Sequence, residues 1–168
     1  LLTIEQNLAL AEKRGEWRNF WAGGVKRRDR QHFQEKLATL GLGLEKRLGA
    51  EMGLLSGGQR QAVTLLMATL KKPALLLLDE HTAALDPKTA EKVLQLTERL
   101  VKADHLTTLM ITHNMRDALR FGNRLIMMHQ GRIVVDVKEE EKSKLTVPDL
   151  LALFEKGAGV VTDEMLLS

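Results

Sequence analysis

At 168 residues the chain can bury about two thirds of its unfolded surface, and 44% apolar with 28% charged residues excludes a disordered tail or a fibrous repeat. The absence of cysteine excludes disulfides and thiolate metal sites and fits a reducing compartment, and no apolar run approaches the ~20 residues of a membrane-spanning helix. The formal charge of +3 is densest at Lys26-Arg27-Arg28-Asp29-Arg30. Trp17, Phe20 and Trp21 lie close by, yet the pattern favours a solvated loop or a protein contact over nucleic acid.

In chain order, Thr3-Ile4-Glu5-Gln6 is a capping box that opens a helix through Ala11. An irregular stretch from Gly15 to Gly24 follows, then a helix over Asp29–Leu40. Ser56-Gly57-Gly58-Gln59 opens the next helix, whose inward face is Ala62, Leu65, Leu66, Thr69 and Leu70, and Lys71-Lys72-Pro73 ends it. From Ala74 the periodicity alternates: strand Leu75–Leu78, helix Pro87–Lys102, strand Thr107–Thr112, helix Met115–Phe121 and strand Arg124–Met128. Alternation of that kind builds a parallel α/β layer. Gln130-Gly131 reads as a hairpin turn into Arg132–Val137, and Thr146–Lys156 as a last helix stopped by Gly157. The expected division is a helical part over 1–73, an α/β part over 74–137, and a C-terminal helix and tail over 138–168.

Two stretches carry chemistry. Ser56 stands at a helix start beside two glycines, so unpaired N–H groups and a hydroxyl can converge on an oxyanion. A capping box alone explains Ser56 and Gln59 but not consecutive glycines, each weakening a first turn by up to about 1 kcal/mol relative to alanine. Leu75-Leu76-Leu77-Leu78 suits a strand buried on both faces, and Asp79-Glu80 follows at its carboxyl end, where α/β sheets gather ligands. Adjacent acids there can divide the labour, one holding Mg²⁺ through water and the other polarising an attacking water. A solvated acidic loop is the plainer alternative. Asp86 before Pro87 is a helix cap whatever else it does, and His113 before Asn114 is a polar residue at a strand end. The five histidines show no i, i+4 metal spacing.

Taken together these motifs resemble the ABC ATPase family. Leu55-Ser56-Gly57-Gly58-Gln59 resembles its signature motif, Leu75 to Glu80 its Walker B strand with the catalytic glutamate, Ala84-Leu85-Asp86 its D-loop, and Ile111-Thr112-His113 its switch-histidine position. The resemblance implies a P-loop NTPase core, an α/β parallel sheet with a small α-helical subdomain. It also implies ATP and Mg²⁺ as ligands, with Glu80 and His113 catalytic, Asp79 on the metal, and Ser56, Gly57, Gly58, Gln59 and Asp86 at the nucleotide. In the family two facing domains enclose ATP, so the implied partners are a second ATPase subunit, as a homodimer, and transmembrane permease subunits. Membrane association would come only through the permease, at the cytoplasmic face. The switch histidine and the Leu-Asp-Pro of the D-loop resemble bacterial importers, those of amino-acid-type systems in particular. His81, where most relatives carry proline, reads as a neutral loop residue.

No Gly-x-x-x-x-Gly-Lys-Ser/Thr occurs in the 168 residues, and none of the 13 glycines precedes a lysine. The family's glutamine loop is also missing. The expectation is therefore a piece, roughly the C-terminal two thirds of an ABC ATPase domain, inactive by itself. Its sheet would lack the strand that feeds the phosphate loop, leaving open edges that invite association. Two alternatives stand beside a transporter subunit: a translation or chromosome-maintenance ATPase, and a catalytically silent interaction fragment.

Overall fold

The computed structural model describes residues 2–14 and 27–166, with side chains to residue 159. The irregular stretch expected at Gly15–Gly24 lies outside the described residues, as does Lys26. The chain divides into two compact units, Leu1–Met110 and Ile111–Ser168. Neither boundary expected from the sequence, at 73 or at 137, coincides with that division.

In the first unit α1 (Ile4–Glu12) begins at the Thr3 capping box, with the Gln6 N–H donating to Thr3 Oγ1 and the Thr3 N–H to Gln6 Oε1. α2 (Arg27–Ala38) starts two residues earlier than its periodicity suggests. Part of the basic cluster is spent inside the unit, where Arg30 on α2 pairs with Glu5 on α1 at 3.0 Å. Short 3₁₀ turns at Leu44–Lys46 and Met52–Leu54 lead into α3 (Gly57–Thr69). Ala62, Val63, Leu65, Leu66 and Thr69 face inward from α3 and meet Ile4, Leu8, Phe33 and Leu37 in a shared core. Each large side chain buried there contributes about 1.5–3 kcal/mol.

β1 (Leu76–Asp79) pairs with β2 (Thr108–Ile111), beginning where the Leu76 N–H donates to Thr107 O at 2.9 Å. The expectation of burial on both faces is corrected here. Leu76 and Leu78 enter the core, whereas Leu75 and Leu77 are 50% and 64% exposed. Side chains alternate across a strand, so Leu76 and Leu78 share the face turned to the core and Leu77 lies on the other. α4 (Pro87–Ala103), capped by Asp86, joins that core through Leu96.

In the second unit Asn114 caps α5 (Met115–Arg120) by accepting from the Arg116 and Asp117 N–H groups. β3 (Arg124–His129) and β4 (Arg132–Lys138) form an antiparallel hairpin. Its turn residues Gln130 and Gly131 both have positive φ, 48° and 77°, as a tight two-residue hairpin requires. Leu125, Val135 and Val137 face Leu150 of α7 (Val147–Leu166). α6 (Glu139–Lys144) inserts the buried Lys142, whose ammonium donates to the carbonyls of Phe121 and Gly122 at the end of α5; burial pushes its pKa down.

The expected stop at Gly157 is also corrected, because α7 continues through it. A Cβ there would stand 2.7 Å from Val134 O, so glycine serves the close approach of α7 to β4 rather than a helix end. The strands pair as β1 with β2 and β3 with β4, and no described strand joins the two pairs.

Candidate functional site

The first unit holds seven of the eight candidate residues: Ser56, Gly57, Gly58, Gln59, Asp79, Glu80 and Asp86. Ser56 Oγ accepts from the Gln59 N–H at 3.3 Å, and Gln59 Oε1 accepts from the Ser56 N–H at 3.2 Å. This reciprocal cap satisfies two orphan donors of the first turn and leaves two, the N–H groups of Gly57 and Gly58. The Ser56 hydroxyl accepts in the cap and keeps its own proton to offer outward. Three donors therefore stand together at the positive end of a 13-residue helix.

The two glycines have different reasons to lack side chains. Gly57 is exposed, and a Cβ on it would come within 3.1 Å of Leu85 Cδ2. Gly58 is buried, and a Cβ there would stand 2.2 Å from Thr89 Cγ2 on α4. The second glycine thus lets the signature-like helix seat on α4, a packing role beside any approach of phosphate. Sequence reasoning missed Thr89, whose only signal is a threonine one turn after the Asp86 cap.

At the end of β1 the exposed Asp79 and Glu80 face a cleft of about 440 Å³. Gln61, Thr64 and Ala68 of α3 and Leu85 of the following loop also line it. Glu80 adopts φ of 43°, a left-handed backbone in which L-residues are strained by about 1–2 kcal/mol. Such strain collects at functional positions. Ala83 N–H donates to Glu80 O and Leu85 N–H to Thr82 O, so two successive turns carry the chain to Asp86. Asp86 accepts from the Thr89 N–H at 3.1 Å, and hydrogen bonds from Thr89 hold its carboxyl below the usual carboxylate range. The cap makes Asp86 a structural residue; it sits on the exposed rim of the loop.

His81 is half-buried, which lowers its pKa, so near neutral pH it is an uncharged imidazole. Its Nε2 lies 3.1 Å from the Oγ1 of the buried Thr97 on α4. His113, the eighth candidate, lies in the second unit, exposed after the last residues of β2. Next to it Thr112 Oγ1 accepts from the Asn114 N–H, so strand end and helix cap are tied across it.

Among the described residues no three His, Asp or Glu side chains converge as a metal cage. Mg²⁺ does not need one. It is commonly held by one or two carboxylates, waters and phosphate oxygens, and an exposed Asp79 at a strand end fits that chemistry.

The family model for ABC transporters matches residues 1–83. A tyrosine transport ATP-binding protein of Clostridioides difficile is 46% identical over 154 residues, 92% of this chain and 61% of the relative. The chain belongs to the ABC transporter family. A phosphonates import ATP-binding protein of Cupriavidus metallidurans is 37% identical over 83% of this ABC chain and 48% of the relative. The solved dimeric ATP-binding cassette in a post-hydrolysis state with ADP and Pi superposes with a TM-score of 0.63 at 32% identity, covering 82% of this chain and 57% of the cassette. The fold is thus that of the P-loop NTPase cassettes, and the ABC chain spans 61% or less of these three proteins. No helix among the described residues is long and apolar enough to cross a membrane.

Proposed function

We propose that this ABC chain is part of the ATP-binding and ATP-hydrolysing subunit of a bacterial importer. The observation that carries the reading is the pairing, within one unit, of a helix start offering three donors with an acid pair at a strand's carboxyl end. Relatives that share most of this chain are ATP-binding proteins for import or transport, which supports it. The 46% identical relative is named for tyrosine transport, and we take an amino-acid-type cargo as the first to try.

In this reading Asp79 holds the metal ion and Glu80 accepts the proton of the attacking water. His113 donates to an oxygen of the transferred phosphoryl group. The Ser56 hydroxyl and the Gly57 and Gly58 N–H groups receive the γ-phosphate of ATP held by a second copy of the subunit, with Asp86 on the same rim and Gln59 locking the cap. Bound Mg²⁺ supplies charge neutralisation at the phosphate oxygens. Positioning and electrostatic stabilisation carry the catalysis, as in phosphoryl transfer generally. The partners are that second copy and a transmembrane permease, which places the subunit at the cytoplasmic face of the membrane.

Steady-state hydrolysis by the full-length subunit tests the proposal. Glu80→Gln is expected to lower turnover by about 10²–10⁴ while ATP binding, read by equilibrium dialysis, stays within twofold. Wild-type turnover in that variant overturns the assignment of Glu80.

A further inference from the structure

We propose that His81 is a positioning residue that fixes the direction of the Glu80 carboxylate through its bond to Thr97 on α4. The inference rests on the proposed role of Glu80 and adds to it a tether that the proposed function does not use.

The geometry begins at Thr97. Its Oγ1 lies 2.9 Å from the carbonyl of Val93, one turn back on α4. A hydroxyl has one proton, and the carbonyl can only accept, so that proton goes to Val93 O. The lone pairs of Oγ1 are then left for His81 at 3.1 Å, which makes Nε2 the protonated nitrogen of the imidazole. Thr97 is 6% exposed and packed among Val93, Leu94 and Leu96, which are all buried on the same helix. The tether therefore ends on a rigid point.

The other end of the tether is the strained residue. Glu80 has φ of 43°, and nothing intrinsic to a glutamate holds it there. Two contacts do. Its own carbonyl accepts from the Ala83 N–H at 3.0 Å, and the next side chain along is anchored to Thr97. Without the anchor the backbone at Glu80 loses one of the contacts that brace its positive φ, and the direction of its carboxylate is less tightly fixed. A displacement of about 1 Å in a reacting group can cost 10²-fold in rate.

The test uses the full-length subunit, with kcat and KM for ATP measured on His81→Ala, Thr97→Val and the double variant. kcat is expected to fall about 10- to 100-fold in each single variant with KM within twofold. The double variant should be no slower than the worse single, because both remove one interaction. His81→Gln, which returns an N–H donor near the same point, should recover most of kcat, as should Thr97→Ser. In ¹⁵N NMR the wild-type His81 ring should show the Nε2–H tautomer, lost as a single form in Thr97→Val. Unchanged kcat in His81→Ala, or losses that multiply in the double variant, would overturn the tether. Glu80→Gln run alongside separates the two claims: if it abolishes turnover while His81→Ala does not, only the tether fails, and if it leaves turnover intact both fail.

Discussion

At the scale of single residues, the contact between Gly58 and Thr89 makes a prediction that phosphate binding alone does not. A methyl group added at Gly58 meets Thr89 Cγ2 at 2.2 Å, and overpacking of a fitted site costs about 1–3 kcal/mol. Gly58→Ala in the full-length subunit should lower its urea midpoint accordingly, and Thr89→Ser, which deletes the offending methyl, should restore much of it. If the two substitutions are independent in urea unfolding, the seat on α4 is not what glycine provides. The sequence announced Ser56, Gln59, Asp79, Glu80 and Asp86 because capping and strand ends are local rules. It could not announce Thr89 or Thr97, since a threonine in an amphipathic helix carries no record of which distant loop it will meet. His81 was legible only as a neutral loop residue for the same reason.

At the scale of elements, helix starts were the most readable features, because a cap and its partner lie three residues apart. Burial was less readable. Leu75–Leu78 is a continuous apolar run, yet only alternate residues enter the core, and hydropathy does not tell which faces find neighbours. Gly157 misled for a related reason: a helix-ending residue and a close-packing residue are the same residue type. α7 itself offers a measurement. Asp149 Oδ2 accepts from both the N–H and the hydroxyl of Thr146, at 2.9 and 2.5 Å, and these bonds hold its carboxyl below the usual range. A depressed folded-state pKa means the stabilisation is present above the unfolded value and lost as pH falls through the folded one. The stability difference between wild type and Asp149→Asn should therefore be largest near neutral pH and vanish in acid, as followed by circular dichroism across a pH series. A difference that persists at pH 2 would assign it to packing. Lys142→Met should cost about 1–3 kcal/mol by leaving the Phe121 and Gly122 carbonyls without their donor, read from the denaturant midpoint.

At the scale of the molecule, the α/β class and the ABC family were legible because four motifs fall in order, whereas the division into two units was not. Compactness depends on which elements touch, and here β1 and α4 pack with the helical elements rather than apart from them. Leu75, Leu77 and Leu109 of the first unit and Ile126, Met128 and Ile133 of the second are large, apolar and exposed. Exposed apolar groups of this number favour association. The isolated 168-residue chain is expected to elute above monomer size at micromolar concentration and to hydrolyse no ATP. A monomeric elution profile with magnesium-dependent turnover would contradict both. The left-handed turn at Glu80 bears finally on any effort to toughen this protein. Glycine tolerates that geometry at no steric penalty, so a screen that rewards heat resistance alone should promote Glu80→Gly. Its best-scoring clones would then be those that had surrendered the carboxylate we propose as proton acceptor.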